Sequence, residues 1–236
     1  MLALLLSLLA SGCREAEPRQ FQVFCAASLS KAVEETAQSE GLPAVLHSGG
    51  SSALVRQASL GATADLLLLA DDSQAKAALV PKGYTLRNLA SNELVVIAPK
   101  SASIPAGLAF QQALAGASQL AVADPQTAPL GIYTAESLKG LTLKAKLVPL
   151  QDATAVLSMV ALGHADFGIV YRSDAKDEPQ VQQVCAVPSE RHRPVVYVAV
   201  LPPNPSAESQ RLVDSLLQGK GREILARNGL LPPPSQ

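Results

Sequence analysis

The run Leu66-Leu67-Leu68-Leu69, held between Asp65 and Ala70-Asp71, constrains the fold more than any other feature of the chain. Successive side chains of a strand point to opposite faces, so four leucines in a row need apolar cover on both sides. Such a strand belongs inside a sheet with further layers packed on it, and the neighbouring sequence supplies them. Short apolar runs at Phe21 to Ala26, Pro43 to His47 and Leu94 to Ala98 alternate with helical patterns at Leu29 to Glu40, Ala53 to Leu60 and Asp72 to Leu79. Gly61 and Pro81 stop the last two helices. This alternation predicts an open α/β sheet with parallel strands.

The second half repeats the scheme. Helices are expected over Phe110 to Ala115, Tyr133 to Leu138 and Ala153 to Leu162. Strands are expected over Gln119 to Ala123, Lys146 to Pro149, Phe167 to Val170, Val181 to Val187 and Val195 to Leu201, and helices at Ser206 to Gln218 and Gly221 to Arg227 close the chain. Two apolar runs flanked by proline and polar residues, Leu94 to Ala98 and Val195 to Val200, read as crossovers between two lobes. The expected division is 20–98 with 195–236 as one lobe and 99–194 as the other. Ligands of such sheets sit beyond the carboxyl ends of the strands, and a cleft between lobes would close by hinge motion in the crossovers.

Four segments end in small hydroxyl or glycine residues where a helix should begin: Ala26-Ala27-Ser28-Leu29-Ser30, Ser48-Gly49-Gly50-Ser51-Ser52, Pro129-Leu130-Gly131-Ile132-Tyr133 and Gln151-Asp152-Ala153-Thr154. The first N–H groups of a helix have no intrahelical partner, and the aligned peptide dipoles place positive charge there. Taken singly, Ser28, Ser51, Ser52 and Asp152 read as ordinary helix caps. Converging on one point, the segments would form a cage of neutral donors for an inorganic oxyanion.

Composition narrows the alternatives. A net charge of −1 without a basic cluster argues against a nucleic-acid groove or a polybasic membrane patch. Aromatic residues make up 3% and Trp is absent, which leaves no platform of stacked rings for a sugar or base. As a hydrolase the chain would need a base beside Ser28 or Ser51, yet no Gly-x-Ser-x-Gly elbow surrounds either serine. His47, His164 and His192 are isolated from one another and have no ligand-spaced partners, so no bare-cation site is expected.

Residues 1–12 are almost wholly apolar and too few to span a bilayer. They read as a signal peptide, although no Lys or Arg precedes the apolar stretch. Leu9-Ala10-Ser11-Gly12-Cys13 looks like a bacterial lipobox, which implies export and lipidation at Cys13. A plain secretory peptide cut near Gly12 is the alternative. Cys25 and Cys185 remain, both in apolar strand-like runs; buried free thiols are expected, with a disulfide as the other possibility.

The chain from about Phe21 to Leu230 resembles the periplasmic molybdate-binding proteins of ABC transporters. The residues that carry the resemblance are Ala26-Ala27-Ser28-Leu29, Gly50-Ser51-Ser52 with Arg56-Gln57, and Ala64-Asp65-Leu66 with Ala70-Asp71. Leu94-Val95-Val96-Ile97-Ala98-Pro99 follows, then Ala123-Asp124-Pro125 with Pro129-Leu130-Gly131-Ile132-Tyr133, then Asp152-Ala153. Gly168-Ile169-Val170-Tyr171 with Ser173-Asp174-Ala175 completes the set.

The resemblance implies a two-lobed periplasmic-binding-protein type II fold, each lobe a mostly parallel sheet flanked by helices, with a two-strand hinge. It implies a non-enzymatic receptor that delivers molybdate to the permease of an ABC transporter. Receptors selective for tungstate, or for another oxyanion such as sulfate, are the alternative. The anion would be held by the hydroxyls of Ser28 and Ser51, the backbone of Leu130 and Ala153, and the hydroxyl of Tyr171, with Ser52 and Asp152 in support. Leu130 stands where the family usually has Ala, and Ala153 where it often has Val. No resident cofactor is implied, and the expected state is a monomer at the outer face of the membrane or in the periplasm.

Overall fold

Leu66 to Leu69 are fully buried and divide their side chains between two cores. Leu66 and Leu68 join a cluster containing Val33, Leu212 and Ile224, whereas Leu67 and Leu69 pack with Leu54, Val55, Leu79 and Val198. Each burial contributes about 1.5–3 kcal/mol, so this strand anchors the layers on both of its faces. The computed structural model describes residues 20–176 and 178–233; the leader and Cys13 lie outside them.

In chain order the elements are β1 (Phe21–Ala26), a 3-10 turn (Ala27–Leu29), α1 (Ser30–Ser39), β2 (Ala44–Gly49), α2 (Ser51–Ser59), β3 (Leu66–Leu69) and α3 (Ser73–Ala78). Then come β4 (Thr85–Asn92), β5 (Leu94–Pro99), α4 (Phe110–Ala115), β6 (Gln119–Ala123), α5 (Pro129–Leu138), β7 (Lys146–Leu150) and α6 (Ala153–Ala161). The last are β8 (Phe167–Tyr171), α7 (Arg172–Lys176), β9 (Val181–Ala186), β10 (Val195–Leu201), α8 (Ala207–Gln218) and α9 (Lys220–Arg227).

These strands form two sheets with one plan, β2-β1-β3-β10-β4 and β7-β6-β8-β5-β9. β1 lies parallel between β2 and β3, and β6 parallel between β7 and β8. β10 runs antiparallel to β3 and β4, and β5 antiparallel to β8 and β9. The parallel strands of each sheet therefore end together, and the loops that follow them converge on the space between the lobes. Pro149 is tolerated in β7 because that strand is an edge, with Val122 of β6 opposite.

The structure corrects the sequence reading in several places. Leu94 to Ala98 is not a crossover between the lobes: β5 lies wholly inside the second sheet, with Leu94 to Ala98 fully buried. The chain passes between sheets at Asn92-Glu93, ahead of the apolar run, and returns through residues 187–194 before β10. An apolar run signals a buried strand but carries no mark of which sheet receives it. β4 was not expected, because only Leu86, Leu89 and Ala90 interrupt its polar sequence. α5 begins at Pro129 rather than Tyr133, since proline at the first helical position loses no intrahelical bond. Gly131 fits inside that helix because a Cβ there would fall 2.4 Å from the backbone of Asp124 and Pro125. Cys25 and Cys185 are free thiols, on β1 and β9 of different sheets, and Cys185 is only half-buried.

Candidate functional site

A cleft of about 320 Å³ lies where the strand ends of the two sheets meet. Ala26 to Ser28, Gly49 to Ser51 and Ala70 line it from the first lobe, and Ala128 to Leu130, Asp152 to Thr154, Tyr171 and Asp174 from the second. All four helix starts picked out in the sequence reach it. A larger open groove of about 610 Å³ runs between α2 and α3, away from the converging strand ends.

Ser51 is the first residue of α2 and is buried. Its Oγ accepts the N–H of Ala70 at 3.0 Å, which ties the start of α2 to the end of β3. A hydroxyl whose lone pair is engaged in this way still has its own hydrogen to give. Ser28 is an exposed residue of the 3-10 turn after β1 and lines the cleft. Ser52 departs from expectation: its Oγ accepts from Gln74 Nε2 at 2.8 Å and lines the outer groove, so its side chain does not support the cleft. Its backbone N–H remains at the second position of α2, without a partner inside the helix.

The second lobe contributes backbone. In the first turn of α5, Pro129 has no N–H and Gly131 N donates to Ala128 O at 3.0 Å. That leaves the Leu130 N–H as the donor of this turn, while the Leu130 side chain is buried in the core. At α6, Asp152 Oδ1 accepts from Ala155 N at 2.9 Å, a helix cap that leaves Ala153 and Thr154 N–H without intrahelical partners. Thr154 and Asp174, not assigned to the anion from sequence, also line the cleft. Ser173-Asp174-Ala175 had been noticed there as a motif only, because a short helix such as α7 gives no periodic signal.

Tyr171 ends β8 with its hydroxyl buried and without a hydrogen-bond partner. Burial, followed by the nearby Tyr197, pushes this phenol well above its ordinary pKa, so it stays a donor across the neutral range. A buried polar group with no partner costs about 1–3 kcal/mol, a cost that an acceptor in the cleft would offset.

Among the described residues, no Lys or Arg lines the cleft and no cluster of His, Cys, Asp or Glu could hold a metal ion. One cationic side chain outside this lining spans the two lobes. The Arg193 guanidinium lies 5.1 Å from the Tyr133 ring centre, with Glu136 at 3.6 Å and Asp71 of the first lobe at 3.8 Å. His47 Nε2 pairs with Gln22 Oε1 at 2.6 Å, and the His47 ring meets Phe24 edge-on. The cleft gathers helix starts, two serines and one tyrosine as donors, with the Asp152 and Asp174 carboxylates also in its lining. Its donor groups suit a small anion that accepts several hydrogen bonds.

The sequence model for bacterial extracellular solute-binding proteins matches residues 21–231. The molybdate-binding protein ModA of Escherichia coli is 35% identical, over 95% of this chain and 93% of that one. ModA of Haemophilus influenzae is 33% identical over 88% of each. The periplasmic molybdate-binding protein of Azotobacter vinelandii superposes with a TM-score of 0.73 at 20% identity, over 91% of this chain and the whole of that one, a likeness of fold.

Proposed function

The chain belongs to the bacterial extracellular solute-binding proteins, a transport family rather than an enzyme family, and on that premise we propose that it captures molybdate between its lobes and delivers it to the membrane permease of an ABC transporter. The observation that carries this reading is the orphaned Tyr171 hydroxyl, facing a cleft ringed by unpartnered helix N–H groups. Molybdate is a tetrahedral dianion with four accepting oxygens and no hydrogen to donate. Ser28, Ser51, the backbone N–H groups of Leu130 and Ala153, and Tyr171 offer it donors alone.

Charge balance needs no cation. Each helix start contributes about half a positive charge, so α2, α5 and α6 together offset most of a dianion. Hydrogen bonds to an ion contribute about 1.5–3 kcal/mol each, enough for tight binding from five donors. Tungstate, of nearly the same size and charge, binds almost as well on this reading. Sulfate is smaller and leaves the donors stretched. The two lobes close on the anion through their two crossings, and the permease meets the closed rims.

Lipidation at Cys13, after removal of residues 1–12, would hold the receptor at the outer face of the membrane; replacing Cys13 with Ala should move the protein from the membrane to the soluble fraction. The protein acts as a monomer on this reading. The experiment for the central claim is calorimetric titration of the purified protein with molybdate, tungstate, sulfate and phosphate at pH about 7, where the donors keep their hydrogens. One-to-one binding of the first two, abolished in a Ser28→Ala, Ser51→Ala double variant, supports it. Preference for sulfate or phosphate would assign another oxyanion to the same cage.

A further inference from the structure

Both crossings between the lobes are fastened by side chains. At Asn92-Glu93 the buried Asn92 amide nitrogen donates to Ser173 Oγ of the second lobe at 2.9 Å and to the Tyr197 hydroxyl of the first at 3.1 Å. On the return, residues 191–193 are strapped along α5. Arg191 Nε donates to Ser137 O at 2.6 Å and its Nη2 to Lys139 O at 2.8 Å, at the end of that helix. The His192 ring stands edge-on to Tyr133, 6.2 Å between centres, and the Arg193 N–H donates to Glu136 Oε2 at 3.0 Å. Residues 191–193 are thereby bound to the second lobe, and Pro194 separates them from β10 of the first.

The Arg193 side chain reaches back over that junction. Its guanidinium lies 5.1 Å from the Tyr133 ring centre and 3.6 Å from Glu136 Oε1, both second-lobe groups. Its third partner is Asp71 Oδ2 at 3.8 Å, in the turn after β3. Asp71 is set in place from its own side, since Oδ1 accepts from the Ser73 N–H at 3.0 Å and from the Ser73 hydroxyl. The residue before it, Ala70, lines the cleft and donates to Ser51 Oγ. Of these three guanidinium contacts only the one to Asp71 joins the two lobes, so it is the one that parting the lobes would break. A contact made in one of two states favours that state by its own free energy. We propose that Arg193 is a positioning residue that latches the first lobe through Asp71, holding the cleft shut over its anion and slowing release. The inference rests on the oxyanion reading above and adds a determinant outside the cleft lining.

Asp71→Asn tests it, because an amide oxygen still accepts from Ser73 while the charge that faces Arg193 is gone. Coulomb's law alone predicts slower release, since a negative charge has been taken from the neighbourhood of a dianion. The latch predicts the opposite. Molybdate release, followed by stopped-flow tyrosine fluorescence, should be about two- to fivefold faster, the range of an exposed ion pair. In an Arg193→Gln background the same substitution should leave release unchanged or slow it. Equal acceleration in both backgrounds would overturn the latch, because the pair would then not be its cause. Release that Asp71→Asn fails to accelerate in the otherwise unaltered chain would overturn it as well.

Melting curves identify a variant that fails to fold. In that case Asp71→Ser, whose hydroxyl can still accept from the Ser73 N–H, carries the same cycle with the same outcomes. Failure of the unaltered protein to bind molybdate, tungstate, sulfate or phosphate would overturn the oxyanion reading and the latch with it. Intact binding with release indifferent to the Arg193 and Asp71 cycle would overturn the latch alone.

Discussion

The first lobe meets the cleft with hydroxyls, Ser28 and Ser51, whereas the second meets it with backbone N–H groups at Leu130 and Ala153 and with the Tyr171 phenol. The two sheets share one plan, yet their donors are secured differently. A serine hydroxyl rotates and can accept as readily as donate, and in Ser51 it is held by the Ala70 N–H, which donates to its Oγ. A backbone N–H at a helix start has one direction and one role, and needs no such partner. On this reading the side chains at Leu130 and Ala153 can vary while the backbone still offers the same donors. Tyr171 is the exception, a side-chain donor left without a partner until an acceptor arrives.

The comparison is tested most severely at Ser51. Ser51→Ala removes a donor to the anion and leaves the Ala70 N–H unpaired, so molybdate affinity should fall about 10- to 100-fold and stability by about 1–3 kcal/mol. Titration calorimetry and thermal melting read the two losses, and an unchanged melting temperature would break the claim that Ser51 is held by Ala70. Tyr171→Phe should weaken molybdate binding about tenfold while leaving the ligand-free protein as stable or more so, since the lost hydroxyl has no partner to forfeit. A lower melting temperature without ligand would show that the hydroxyl is already satisfied.

Smaller effects separate caps from ligands. Asp152→Asn preserves the cap on Ala155 but removes a negative charge beside the dianion, so affinity should rise about threefold with stability nearly constant. A drop in affinity would make the Asp152 carboxylate part of the binding set. Ala153→Val keeps the N–H and changes only the side chain; binding should move less than about twofold, within the ordinary spread for sites that do not interact. A tenfold loss there would contradict the view that the second lobe binds through its backbone.

Much of this was legible in the chain. The leucine run and the alternation of strands and helices identify a two-sheet α/β protein, and the four helix starts do come together at one cleft. Ser28, Ser51, Leu130, Ala153, Asp152 and Tyr171 all line it. Ser52 was misplaced because a helix start announces which residues begin it but not which way each side chain turns; Gln74, on α3, decides that. Asp174 stands in the sequence only within the Ser173-Asp174-Ala175 motif for a related reason, since it lies neither in a periodic pattern nor at the start of a longer helix.

Local sequence determined the strands, the helices and the donor character of their starts, because hydrophobic periodicity and unpaired first-turn N–H groups depend on residues only a few positions apart. The tertiary structure decided which sheet receives β5, which serine faces the cleft and which groups its polar side chains meet. Those outcomes rest on partners far apart in the chain: Ser51 and Ala70 are 19 residues apart, Asn92 and Ser173 are 81, and Asn92 and Tyr197 are 105. A hydroxyl has no intrinsic direction. The group placed against it by packing supplies one.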